Sequence, residues 1–246
     1  MGFGNVGVHL CTAFQKLDTV SIQQIYNRST ISLPSELHSI PFTTKLSKIK
    51  EADLYIIAIP DDAIAGFSER IPFQNKLVVH TSGGVSMTAL SNKNRRGVLY
   101  PLQTFSKNRA VDFSTIPFCL ETEDTSDYLT LQSLVSQLSQ TVVTINSEER
   151  AKLHLAAVIV NNFVNHLYSI SDDYLIENNI SFDLLKPLIA ETAAKIENLP
   201  PSEVQTGPAK RNDIKTIEKH LHLLKDNAVS TLYTTLTEAI IKKYKH

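Results

Sequence analysis

Three of the chain's eight glycines fall within its first seven residues, as Gly2-Phe3-Gly4-Asn5-Val6-Gly7. Glycines at this spacing suit one task. The first makes a tight turn, the second lets backbone approach a pyrophosphate and the third lets a helix pack closely, while the helix N-terminus offers unpaired amides and partial positive charge. Val8, Leu10, Ala13, Phe14 and Leu17 follow at helical spacing, so a helix is expected over 6–17. The apolar run over 20–26 reads as a strand whose end falls about 20 residues past the last glycine, where a dinucleotide's ribose is read. There the chain has Asn27-Arg28-Ser29 and no acidic residue. A carboxylate would bind the ribose hydroxyls of NAD, whereas an arginine fork with two small polar neighbours suits the 2′-phosphate of NADP. NADP is therefore the expected cofactor, held by Gly2, Phe3, Gly4, Asn5, Val6, Asn27, Arg28 and Ser29.

Further polar residues stand at the ends of apolar runs. Ile59, Pro60 and Asp61 close one run, and His80, Thr81 and Ser82, followed by Gly83 and Gly84, close another. Ligands bind outside the carboxyl ends of parallel strands, so these six named first join the expected cofactor site. Tyr100 ends a third run, and Gln103 and Thr104 follow Pro101 in a loop suited to a polar substrate. Beyond residue 149, His154, Asn161 and Asn165 recur at spacings that share one face of an unbroken helix. His154 is expected to donate a proton and Asn161 to orient the reacting group, with Asn165 contacting substrate and Asn162 beside that face. Arg211, after Thr206-Gly207-Pro208-Ala209-Lys210, could clamp a carboxylate or phosphate. Cys11 and Cys119 are too few and too far apart for a disulfide framework or a clustered metal site, and no metal is expected.

These residues need elements to hold them. Apolar runs over 20–26, 53–59, 77–81, 97–100, 118–120 and 142–145 alternate with candidate helices over 6–17, 60–69, 85–90 and 126–138. Such alternation predicts a doubly wound α/β domain of Rossmann type, with helices on both faces of a parallel sheet. From residue 148 only helical periodicity remains: Leu153, Ala157, Val160, Val164 and Leu167 form one stripe, and Leu184, Leu185, Leu188, Ile189, Ala193 and Ile196 another. Asn212 or Asp213 is placed to cap a later helix. The expected boundary lies near Asn146 and Ser147, giving a Rossmann-like NADP-binding domain over 1–146 and an all-helical substrate and dimerisation domain over 147–246. One part is missing. The fingerprint should follow a buried strand, yet only Met1 precedes Gly2. Without that strand its neighbours are left unpaired and apolar surface uncovered, which implies an amino-terminal shortening or a gap filled in another way.

Composition sets outer limits. The 246 residues are 42% hydrophobic and 20% charged, which excludes disordered and fibrous classes. With 24 basic and 25 acidic residues the net charge is -1, against a nucleic-acid or anionic-membrane partner. No apolar stretch is long enough to span a bilayer and no signal-peptide pattern opens the chain, so a cytoplasmic protein acting on a small molecule is expected.

The glycine run, Asn27-Arg28-Ser29 and Ala58-Ile59-Pro60-Asp61-Asp62-Ala63-Ile64 together resemble the NADP-binding half of the 6-phosphogluconate dehydrogenase-like superfamily. His80-Thr81-Ser82-Gly83, Tyr100-Pro101-Leu102-Gln103-Thr104-Phe105 and the stretch from Thr206 to Asp213 narrow the resemblance to a bacterial group of candidate NADP oxidoreductases, with a Rossmann-like N-terminal domain and a helical C-terminal domain of unknown function. The resemblance spans essentially the whole chain. It implies hydride transfer between NADP(H) and a small imine or carbonyl-type substrate, with Pro60 and Asp61 near the nicotinamide ribose. Relatives often carry Lys and Asn one turn apart on the first helix of the second domain, and this chain has no Lys one turn before Asn161 or Asn162. Tyr100 stands where many relatives have His. Both departures leave a non-catalytic NADP-binding sensor or assembly protein as the alternative.

Overall fold

The computed structural model describes residues 1–225 and 228–244. The chain divides into two compact units, Met1–Asn162 and Phe163–His246. The boundary expected near Asn146 and Ser147 coincides with the cap of a helix inside the first unit.

The first unit opens with helix α1 (Asn5–Phe14), followed by two short strands, β1 (Ile25–Tyr26) and β2 (Phe42–Thr43). Strand β3 (Leu54–Ile57), helix α2 (Asp61–Ser68), β4 (Leu77–His80), β5 (Arg95–Pro101), β6 (Phe118–Thr122), helix α3 (Thr125–Val135), β7 (Val142–Thr144) and helix α4 (Ser147–Ala157) come next. Strands β3 to β7 form one sheet in sequence order, with Leu54 opposite Leu77 and His80 opposite Val98. Strands β1 and β2 form a separate parallel pair.

The central strands are apolar on both faces because both are covered, as expected for a doubly wound sheet. Leu77, Val79, Leu99, Phe118 and Leu120 pack against Leu10 and Phe14 of α1 and Leu131 and Val135 of α3. On the other face Tyr55, Ile57 and Val78 meet Ile64 and Phe67 of α2. The sheet is not wholly parallel. β6 runs antiparallel to β5, pairing Leu99 with Leu120 and Tyr100 with Cys119. The connection between them carries only a 3-10 turn, Phe113–Thr115, and lacks the helical crossover by which parallel neighbours are usually joined.

Other differences from the sequence expectations have local causes. The strand expected over 20–26 shortens to Ile25–Tyr26, since β2 offers it only two partners and the opposite side faces a gap. The helix expected over 85–90 reduces to the 3-10 turn Met87–Ala89. Its backbone is bonded elsewhere: the Val85 carbonyl accepts from Arg150, and the Met87 amide donates to Ser147 Oγ.

Helix α4 starts at a capping box, in which the Asn146 side chain accepts from the Glu149 amide and Glu149 accepts from the Asn146 amide. Its last turn passes into a π-helical segment, Val158–Phe163, which contains the division between the units. The second unit comprises α5 (Val164–Glu177), α6 (Lys186–Asn198), α7 (Pro201–Val204), α8 (Ile214–Leu224) and α9 (Ala228–Tyr244). Asp213 caps α8 by accepting from the Thr216 amide. The stripe read from sequence is not an internal core: Leu184, Leu188 and Ile196 are 73%, 63% and 53% exposed. No helix among the described residues is long and apolar enough to cross a membrane.

Candidate active site

The glycine turn is built by close backbone approach. Gly2 has φ +86, and a Cβ there would collide with the Ala58 carbonyl and the Ile59 side chain. A Cβ at Gly7 would collide with the Gly2 carbonyl, so α1 can lie against the turn only with glycine at both positions. Gly4 faces open space and is the N-cap of α1, without a side-chain cap and with no acidic residue in the first turn. The amides of Asn5, Val6 and Gly7 therefore meet no competing carboxylate, an arrangement suited to a phosphate.

Asn27 ties this turn to the end of β1. Its Oδ1 accepts from the Phe3 amide at 3.1 Å, and its Nδ2 donates to the Ser29 carbonyl at 2.9 Å. The Phe3 side chain is buried with Ile25, Leu37 and Ile40, so only its backbone faces the turn. Arg28 and Ser29 are exposed, and Arg28 forms no ion pair among the described residues.

A second cluster gathers at the carboxyl ends of β4 and β5. The Tyr100 hydroxyl lies 3.2 Å from Nδ1 of His154, with the rings edge to face. A Cβ at Gly83 would sit 2.6 Å from His154 Nδ1 and 2.7 Å from Tyr100 Cζ, so the turn after β4 presses bare backbone against the pair. A Cβ at Gly84 would lie 3.6 Å from the His154 ring and 3.7 Å from Asp61 Oδ2, which places Asp61, at the start of α2, beside the same turn. Burial pushes the Tyr100 hydroxyl pKa above its ordinary value. Ser82 shapes the turn by accepting through Oγ from the Gly84 and Val85 amides.

Beneath the turn is a buried arginine that sequence reading did not single out. Arg150, fully buried, pairs with Glu121 of β6 and donates to the Val85 carbonyl and Ser147 Oγ. Glu121 also accepts from the Ser147 amide and hydroxyl. The capping box around Asn146 is legible in sequence, but nothing local couples Arg150 to Glu121, 29 residues away.

His80 serves this architecture from inside. It is fully buried; its Nδ1 accepts from the Ser82 amide at 3.2 Å, and its Nε2 has no partner among the described residues. Burial first, then the positive charge of Arg150, lowers its pKa to about 4. Its side chain is thus a neutral prop for the Ser82 turn. Thr81 extends the ladder by donating its amide to the Ile57 carbonyl.

Of the other sequence candidates, Ile59 packs at the glycine turn and Pro60 caps α2. Gln103 and Thr104 are exposed, with the Gln103 side chain accepting from the Thr104 amide. Asn161 is exposed in the π-helical segment, where the wider turn alters the phase that an unbroken α-helix would give His154, Asn161 and Asn165. Asn165 and Arg211 are exposed residues of the second unit.

The family model described as "Domain of unknown function (DUF2520)" matches residues 116–240. No curated protein matches the chain. A crystal structure of a candidate NADP oxidoreductase from Bacteroides fragilis is 38% identical, with TM-score 0.90, over 98% of this chain and 96% of that one. A protein from Thermotoga maritima shares the fold with TM-score 0.83 at 21% identity, covering 100% of this chain and 98% of its own. Plasmodium falciparum pyrroline carboxylate reductase, solved with NADP bound, shares the fold with TM-score 0.63 at 13% identity, over 100% of this chain and 96% of that one.

The low pKa of His80 carries a stability signature. The unfolded chain binds a proton at this residue between pH 6.5 and about 4 and the native state does not, so stability is complete above pH 6.5 and falls as pH drops through that window. Urea titrations at pH 7 and pH 4.5 are expected to show His80→Asn losing less stability on acidification than the parent, with the difference approaching about 3 kcal/mol by pH 4. Equal acid losses would remove His80 from this role.

Proposed function

The chain belongs to the DUF2520 family, and we propose that it is an NADP-dependent oxidoreductase that transfers a hydride between NADP(H) and a small imine or carbonyl-type substrate. The observation that carries this reading is the pairing of an uncapped, glycine-lined helix N-terminus with an exposed arginine at the end of the adjoining strand, which forms no ion pair among the described residues.

The residues present fit the dinucleotide. The amides of Asn5 and Val6, at the open Gly4 turn, take the pyrophosphate, while Gly2 and Gly7 hold the turn closed behind it. Asn27 fixes the spacing between turn and strand, leaving Arg28 and Ser29 to bind the 2′-phosphate. Ile59, Pro60, Asp61, Thr81 and Ser82 border the remainder of the cofactor, with His80 supporting them from below. Bound NADPH supplies the hydride.

This chain's side chains manage the proton. With the Tyr100 hydroxyl donating to Nδ1, the His154 imidazole carries its proton on Nε2, the nitrogen remote from Tyr100. That proton passes to the substrate nitrogen or oxygen as the hydride reaches carbon, while Nδ1 takes the Tyr100 hydroxyl proton so that the imidazole stays neutral and solvent reprotonates Tyr100; the C=N or C=O bond becomes C–N–H or C–O–H. Asn161 orients the reacting group, and Gln103 and Thr104 hold polar parts of the substrate. The helical unit forms a homodimer, supported by the exposed Ile176, Leu184, Leu188 and Ile196. The compartment is the cytoplasm.

Three experiments test this reading. Arg28→Ala is expected to weaken NADPH binding by about tenfold or more while leaving NADH binding unchanged, in titrations at fixed salt; an unaltered NADPH affinity removes the 2′-phosphate assignment. In a preparation that turns over imines, His154→Ala is expected to lower kcat by roughly 10²-fold or more and Tyr100→Phe by less. Unchanged turnover in both sinks the proton relay, and binding without turnover by the unaltered protein favours a sensor or assembly role. Light scattering is expected to find a dimer that L184E/L188E converts to a folded monomer; a monomeric parent ends the dimer proposal.

A further inference from the structure

The connection from β5 to β6, residues 102–117, leaves the sheet and crosses to α1. It departs where the Leu102 amide donates to the Pro117 carbonyl, next to the pairing of Pro101 with Phe118. On α1 the buried His9 ring donates through Nε2 to the Ser106 carbonyl at 2.9 Å and lies 5.3 Å from the Phe105 ring. Phe105 is itself buried, and ring contacts continue from it through Phe113 to Phe118 at the start of β6. Both feet of the loop are therefore fixed.

Between them the chain turns on one atom. The Ser106 carbonyl that accepts from His9 also accepts from the Arg109 amide at 3.0 Å, so Lys107 and Asn108 are the central residues of a tight turn pinned to α1. Lys107 and Arg109 are exposed and form no ion pair among the described residues. Asp112, the one acidic residue of the loop, is engaged locally and accepts from the Ser114 amide and hydroxyl.

The place of this turn gives its charges a task. The pairing of Pro101 with Phe118 puts the loop at the carboxyl end of β5, and the glycine turn shares that end, with Gly2 against Ala58 and Ile59 just past β3. Ligands of such sheets bind there. His9 follows Asn5 by four residues, on the same face of α1 and about 6 Å along it. An extended lysine one residue beyond the latch spans one helical turn. Arg28 stands elsewhere, at the end of β1 in the separate strand pair, so the two sets of cations meet different phosphates.

We propose that the loop is a cationic strap, latched to α1 by His9, whose Lys107 and Arg109 bind the pyrophosphate of the dinucleotide beside the Asn5 and Val6 amides. This rests on the NADP reading and adds full charges to the partial charge of the helix N-terminus. His9 is a positioning residue, because it acts through the Ser106 carbonyl.

Trypsin cleaves after lysine and arginine, so the strap reports on itself. Saturating NADPH is expected to slow cleavage after Lys107 and Arg109, read by mass spectrometry, by about tenfold. K107A/R109A is expected to weaken NADPH and NADH by about tenfold each, because both carry the pyrophosphate, whereas Arg28→Ala weakens NADPH alone. His9→Ala is expected to weaken both dinucleotides by roughly threefold, and His9→Gln, which keeps a donor for the Ser106 carbonyl, to restore parental affinity. The inference is overturned if K107A/R109A leaves both affinities unchanged or weakens NADPH alone. Cleavage of the strap at the same rate with and without NADPH overturns it equally. If Arg28→Ala still weakens NADPH, only the strap falls and the cofactor reading stands; a parent that binds neither dinucleotide overturns both.

Discussion

The buried ion pair between Arg150 and Glu121 is the contact on which the geometry of the candidate site depends. A guanidinium with no exposed surface needs partners for its donors, and the terminal nitrogens of this one find a carboxylate on β6, the Val85 carbonyl and the Ser147 hydroxyl, while Nε has none among the described residues. Those three partners belong to a strand, a turn and a helix start. One desolvated charge therefore holds the Val85 backbone, the end of β6 and the first turn of α4 in a single arrangement. His154 lies one turn beyond Arg150 on that helix, and its contact with Tyr100 follows from the same placement. Removing one member of such a pair leaves the other charged and buried, typically a loss of about 3–5 kcal/mol. Burial, and after it this charge, depresses protonation of His80, which keeps the prop beneath the Ser82 turn neutral.

Close backbone packing sets the other half of the site. Gly2 and Gly7 allow the turn, α1 and the end of β3 to touch without side chains between them. This contact leaves the first turn of α1 open at Gly4, with amides that no side chain satisfies. Asn27 converts the position of β1 into the position of that turn through its bond to Phe3. The glycine turn and the end of β1 thus share one polar link.

The second unit follows different rules. Its helices carry regular apolar stripes, yet Leu184 and Leu188 remain largely exposed. A stripe records that a face is to be covered and does not say by what. The π-helical segment over Val158–Phe163 adds a further departure, since one wider turn resets the facing of every residue after it.

The glycine turn and the helix after it were legible in the sequence because their signals are local. Glycine spacing, an apolar run and Arg28 at a fixed distance lie within about 30 residues and encode one supersecondary unit. The central strands were equally legible, since continuous burial leaves continuous apolar runs such as Leu77-Val78-Val79. His154 and Tyr100 could each be picked out, but their 3.2 Å contact joins residues 54 positions apart. Arg150 read as an ordinary charge on a helix start, and only the fold buries it against Glu121. The antiparallel turn of β6, the shortened first strand pair and the division after Asn162 likewise depend on neighbours far along the chain. Sequence alone determined the central strands, the main helices and the glycine turn, because backbone sterics and side-chain periodicity act over a few residues. Tertiary structure decided which polar groups lose water together, because desolvation is a property of the packed neighbours.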